Sequence, residues 1–170
     1  YAPQPDGTRV SLTDYGYGYG RALADGIVRP VVFMVYAGKM RWQTSTGEEM
    51  EARLGEGNTK DITSQAWRTA LDPAGDWIAK VLRAANRRLS EVREHIPDAG
   101  GLVIATDHAS ARAYASQLSE ITGESVALIL SDDSTASDQI ESFSAGTSRW
   151  MVAVRMVSEG VDVPRLAVGV

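Results

Sequence analysis

Hydrophobic and polar positions follow one texture over the first hundred residues of this chain and another after them. From Gly100 onward, short apolar runs alternate with longer stretches in which apolar residues recur every three or four positions. Residues 100–106, GGLVIAT, and 125–130, SVALIL, have strand length and no polar alternation, the pattern of strands covered on both faces. Between them, HASARAYASQLSEITG places Ala109, Ala113, Leu118 and Ile121 near helical spacing and ends at Gly123, a glycine C-cap. STASDQIESFSAG follows, with serine and threonine caps, Ile140 and Phe143 on one face and Gly146 as its stop. RWMVAVRMV (149–157) predicts a third strand and LAVGV (166–170) the start of a fourth. Strands alternating with helices through right-handed crossovers give a parallel sheet flanked by helices.

The earlier residues are less regular. A long helix is expected from about Pro73 to His95, with Trp77, Val81, Leu82, Ala85, Leu89 and Val92 as its apolar stripe. Pro73 suits its first turn, and Pro97 ends it. Lys80, Arg83, Arg87 and Arg88 fall on the opposite side, where a solvated face is the ordinary reading and a phosphate-tracking patch the alternative. GYGYGRALADGIVRP leads into VVFMVYAG, an expected strand. The polar, glycine-bearing stretch TSTGEEMEARLGEGNTKD predicts a surface loop.

Composition narrows the function classes. At 170 residues, 44% hydrophobic and 23% charged, the chain suits one domain with a core, or one domain and a connecting segment. No apolar stretch approaches the roughly 20 residues of a bilayer span, so no membrane partner is expected. The absence of cysteine removes disulfides and thiolate metal sites and, with no signal peptide visible, suggests a cytoplasmic setting. The chain opens on Tyr1 and stops within an apolar run, which reads as a piece of a longer protein. A net charge of −5 gives no overall basic footprint, so any nucleic-acid contact must be local.

Several apparent motifs fail. AGKM (37–40) has the Gly-Lys pair of a phosphate loop, but Phe33 stands where the first glycine belongs and no hydroxyl residue follows Lys39. GYGYG (16–20) lacks dinucleotide-fingerprint spacing and follows no strand. His95 and His108 are too few and too separated for a zinc site. His108 could orient a ligand, although a helix-start residue is the commoner case. No G-x-S-x-G elbow occurs. No complete active site is written into the chain.

In parallel sheets the loops at the carboxyl ends of the strands carry the binding chemistry. Here these are 106–109, 131–134 and 158–164. Taken in order, GLVIATDHASARAYASQL, ALILSDD and QIESFSAGTSRWMVAVRMVSEGVDVP resemble motif IV, the strand and turn after it, and motif V of the second RecA-like motor domain of superfamily 2 helicases. The E-G-x-D-x-P form resembles restriction-type and excision-repair helicases more than DEAD-box ones. YGYGRALADGIVRP is similar to the segment by which those enzymes leave their first motor domain. The resemblance covers most of the chain, without a match for residues 44–60.

The resemblance implies an α/β fold, a RecA-like parallel sheet flanked by helices in three layers. Residues 1–60 would be the exit segment of the first motor domain, a crossover strand and a polar loop; residues 61–170 would be the second domain, truncated before motif VI. The chain would be part of an ATP-dependent helicase or translocase, with Gly160 at the close approach to the ATP cleft and Asp162 toward the ribose or the coupling to nucleotide. Glu159 would face the same cleft or pair with an arginine across it. Thr106, Asp107, Ser131 and Arg155 would face DNA or RNA. Local readings stand beside these: a turn at Gly160, a side-chain cap at Asp162, a strand stop at Pro164, ordinary strand-end caps at Thr106 and Ser131, and a solvated Arg155. Val154 stands where DEAD-box relatives have a threonine, which puts a hydroxyl contact there in doubt. ATP and Mg²⁺ are implied for the intact parent, none tightly bound to this piece, and the first RecA-like domain of the same chain is the implied partner. Walker A, the acidic Mg²⁺ motif and motif VI are not present, so the piece alone is expected to be inactive. The rivals are a self-contained flavodoxin-like ligand- or protein-binding module and a helicase domain kept as a scaffold.

Overall fold

A computed structural model describes residues 2–3, 5–7, 9–10, 14–34, 38–43, 47–53, 59–154 and 163–170. The chain divides into two units, residues 1–35 and 36–170.

The first unit holds two short antiparallel strands, β1 (Ala2–Pro3) and β2 (Arg9–Val10), and the helix α1 (Tyr19–Ala24). Tyr19 braces the chain after the helix: its hydroxyl donates to the Arg29 carbonyl at 3.1 Å and accepts from the Val31 amide at 3.0 Å. The expected strand at 31–38 is not formed over its described part. Val31, Val32, Phe33 and Met34 have no strand partner among the described residues and stand exposed.

The second unit begins with an antiparallel hairpin, β3 (Lys39–Gln43) and β4 (Glu49–Arg53), followed by α2 (Lys60–Ala70). Both β4 and the start of α2 lie where the sequence pattern predicts a polar loop. In Glu49–Arg53 only Met50 and Ala52 alternate with charged residues, a short period-2 signal. Burial goes to Met40 and Ala52 of the hairpin and to Ala66 and Ala70 of α2, with Trp42, Ile62 and Trp77 covering the cluster.

The remaining elements are α3 (Asp76–Arg93), β5 (Gly100–Ala105), α4 (His108–Thr122), β6 (Ala127–Ile129), α5 (Ala136–Ala145), β7 (Trp150–Val154) and β8 (Leu166–Gly169). Helix α3 starts after Gly75, not at Pro73, which lies in the preceding turn that the Asp72 carboxylate closes by accepting from the Ala74 amide. Its buried residues are Ile78, Leu82, Ala84, Ala85 and Leu89. Trp77 and Val81 are only half-buried, Trp77 covering the hairpin cluster. Lys80, Arg83, Arg87 and Arg88 are exposed, as expected. On α4 the buried positions are Ser110, Ala111, Tyr114, Ala115 and Leu118, one turn-face away from the expected Ala109 and Ala113. Gly123 caps it in the left-handed conformation, φ 71°, which a residue without Cβ adopts freely.

Strands β5 to β8 form one parallel sheet in the order β6-β7-β5-β8. Helices α3 and α4 cover one face, packed on Val103, Ala105, Trp150 and Val152. On the other face, Phe143 of α5 packs with Ile129, Met151, Ala153 and Val163. Strand β7 is central, so both of its faces are sealed, which explains its lack of polar alternation. This is the α/β arrangement expected, a parallel sheet with helices on both sides. The first strand of the sheet lies beside the third and fourth rather than the second, so the order departs from that of a flavodoxin-like sheet.

The buried Arg165 closes this unit. Its guanidinium donates to the carbonyls of Phe143 (2.7 Å), Asp98 (2.6 Å) and Ser148, and lies over the Phe143 ring at 4.0 Å. Burial, then the nearby Arg93, pull its pKa below the ordinary arginine value.

Candidate functional site

The parallel register puts the ends of three strands at one edge. Ala105, the last residue of β5, lies opposite Val154, the last of β7, and Ile129 of β6 lies opposite Ala153. The carboxyl ends of β5, β6 and β7 therefore lie at the same edge of the sheet, where the loops after β5 and β6 leave it. Arg155, Glu159, Gly160 and Asp162 themselves lie outside the described residues.

Thr106 and Asp107 form the start of α4. The Asp107 carboxylate accepts from the Ser110 amide at 2.8 Å, from the Ser110 hydroxyl at 3.0 Å and from the Thr106 hydroxyl at 3.0 Å. Side-chain capping of this kind follows from the amides that a helix leaves unpaired in its first turn. Those hydrogen bonds, the Ser110 amide first, hold the Asp107 carboxyl below the usual carboxylate range. The hydroxyl of Thr106 is thus engaged in the cap.

Ser131 follows β6, across β7 from Thr106. Its hydroxyl is 2.9 Å from Nε2 of His108, and Nδ1 of the same ring is 3.7 Å from an Asp132 carboxylate oxygen. His108 therefore joins the loop after β6 to the first turn of α4. The sequence pattern offered His108 only as a helix-start residue or a ligand orienter, because the spacing of 23 residues to Ser131 carries no local signal. Next to it, the Asp133 carboxylate accepts from the Thr135 amide and hydroxyl and from Gln139, which lowers the Asp133 pKa, the Thr135 hydroxyl being the largest cause.

Chemically, this edge presents small hydroxyls and backbone amides together with the carboxylates of Asp107, Asp132 and Asp133. The hydroxyls and amides can hydrogen-bond a nucleic acid without reading its sequence, whereas the carboxylates disfavour a phosphate and accept from sugar or base donors. Among the described residues no cluster of three or more His, Cys, Asp or Glu is placed to hold a metal ion, and no helix is long and apolar enough to cross a membrane.

Thr106, Asp107 and Ser110 also line an open groove of about 480 Å³, completed by Ser64, Trp67 and Arg68 of α2 and by the α2–α3 turn. That turn is held to α4, the Tyr114 hydroxyl donating to the Leu71 carbonyl and Gln117 Nε2 to that of Pro73. Helical and strand periodicity gave no sign of the groove, since it arises where distant segments meet.

No protein-family model matches the chain. Uncharacterized proteins from two strains of Mycobacterium tuberculosis are each 58% identical to it over all 170 residues, and one from Mycobacterium leprae is 54% identical. The chain spans 28% of the length of each of these relatives. Among solved structures it is similar to a SWI2/SNF2 ATPase C-terminal domain of Sulfolobus solfataricus. That match has a TM-score of 0.37 and 10% identity, and covers 48% of this chain and 40% of the other.

Proposed function

We propose that this chain is the part of an ATP-dependent nucleic-acid helicase or translocase that brings motifs IV and V to the cleft between two motor domains. The observation that carries this reading is the common sheet edge. Strand β7 lies between β5 and β6 and ends level with β5, so its last described residue, Val154, lies between the strand ends that lead into Thr106–Asp107 and Ser131. A cleft motor needs this juxtaposition, because nucleotide and strand must be sensed by neighbouring loops of one rigid sheet.

In this reading Thr106, Asp107 and Ser131, with Arg155, face the nucleic acid. Gly160 allows close backbone approach, and the Asp162 carboxylate accepts from ribose hydroxyls. Glu159 pairs with a cation across the cleft. ATP with Mg²⁺ would supply the free energy of phosphoryl transfer. The phosphate cradle and the transition-state arginine must come from other segments, for this chain carries neither. The partner is a first motor domain, and the substrate is DNA or RNA.

The test is ATP hydrolysis by the full-length protein with and without single- and double-stranded DNA and RNA, beside Asp162→Ala and Gly160→Val. Stimulation by a nucleic acid that both substitutions abolish is the expected result. Hydrolysis insensitive to every nucleic acid, or none at all, would sink the motor reading.

A further inference from the structure

Resting on the nucleic-acid reading above, we propose that the groove between α2 and the carboxyl end of β5 binds one base of a single-stranded nucleic acid, stacked on the Trp67 indole. Trp67 is the most open of the four tryptophans. It is 48% exposed, whereas Trp42 and Trp77 are half-buried and Trp150 is 1% exposed. Its helix has already spent its burial elsewhere, since Ala66 and Ala70 seal the face toward the hairpin. An indole turned to solvent at the mouth of a groove of about 480 Å³ offers a flat stacking surface beside a space of nucleoside size.

The polar lining points to a base rather than to a phosphate inside the groove. Two carboxylates, Asp72 and Asp107, face one guanidinium, Arg68, and that balance repels an anion. Asp107 is occupied by its three donors from Thr106 and Ser110. One oxygen of Asp72 accepts from the Ala74 amide, while its other oxygen has no donor among the described residues. A free carboxylate oxygen accepts from an exocyclic amino group, as in carboxylate recognition of cytosine. Bases carrying an amino group should therefore be favoured over thymine or uracil. Arg68, exposed on the same helix, is placed for the neighbouring phosphate. Stacking needs an unpaired base, so single strands are the class selected.

The experiment is fluorescence anisotropy of labelled short oligonucleotides with the full-length protein and its Trp67→Ala and Trp67→Phe variants. The strands are oligo-dA, oligo-dT, oligo-rA, an abasic oligomer and a DNA duplex. Trp67→Ala should weaken oligo-dA or oligo-rA binding on the order of 10-fold, the worth of one stacked base, and Trp67→Phe should retain most of it. The abasic strand and the duplex should bind the wild type and Trp67→Ala alike. Comparison of oligo-dA with oligo-rA separates DNA from RNA as the source of the base. Equal affinity of Trp67→Ala and wild type for every single strand, or equal losses for Ala and Phe, would overturn the stacking site and leave the motor reading standing. Failure of the wild type to bind any of the strands would remove both.

Discussion

At the scale of single residues, Trp150 and Arg165 are set by contacts far along the chain and Asp107 by its immediate neighbours. A Cβ at Gly101 would lie 2.3 Å from the ring of Trp150. That ring cannot yield easily, because it is 1% exposed and its Nε1 donates to Asn86 at 3.0 Å. Gly101→Ala should therefore destabilise the chain by about 1–3 kcal/mol, the ordinary cost of overpacking, measurable by urea denaturation. Arg165 is a cation whose donors all go to carbonyls. Arg165→Lys cannot reproduce the planar fork, leaves carbonyls unpaired and should cost about 2 kcal/mol or more in the same assay. Asp107→Ala should lower the melting temperature by a few degrees through loss of the α4 cap, whereas Asp107→Asn, which keeps an acceptor, should lose less. The sequence showed the paired glycines and a helix start near His108. It could not show that Gly101 makes room for Trp150, because that requires the register of β5 against β7.

At the scale of elements, legibility followed periodicity. The four parallel strands and α4 and α5 follow the expected pattern, the end expected for β7 at 155–157 lying outside the described residues, since buried strands and amphipathic helices leave strong local patterns. The hairpin and α2 were not read as elements. Their apolar content is Ile62, Ala66, Trp67 and Ala70 in α2 and the pairs Met40 and Trp42, Met50 and Ala52, too sparse for a pattern without the partner that buries them. Conversely, VVFM looked like a strand because its residues favour one, yet β-propensity counts only where a neighbouring strand supplies the ladder. The elements meet at the α2–α3 turn, held by Tyr114. Tyr114→Phe leaves the Leu71 carbonyl without its donor and should cost about 1 kcal/mol. Hydrogen exchange should then quicken in α2 and its turn before it quickens in β7.

For the molecule as a whole, acid is the informative perturbation. Asp107 and Asp133 have pKa values held below the ordinary carboxylate value by hydrogen bonds to their charged forms. A depressed folded-state pKa means that the unfolded chain binds the proton more readily. The resulting stability is present above the ordinary carboxylate pKa and is lost as pH falls through the folded value. Melting temperature should thus fall below about pH 5, and the Asp107→Asn, Asp133→Asn double variant should start lower at neutral pH and lose less on acidification. An identical pH slope in the two proteins would show that other groups govern acid unfolding.

The sequence by itself determined the class of the fold, the alternation of strands and helices and the loops that gather at the carboxyl edge, because burial pattern and caps are local properties. It also supplied the E-G-x-D-x-P string on which the functional reading leans. Only the tertiary structure decided that β7 lies between β5 and β6, that His108 ties Ser131 to α4, that Arg165 locks the strand starts, and that Trp67 opens on a groove beside Thr106. Those facts join residues tens of positions apart, and no local pattern carries the packing that brings them together.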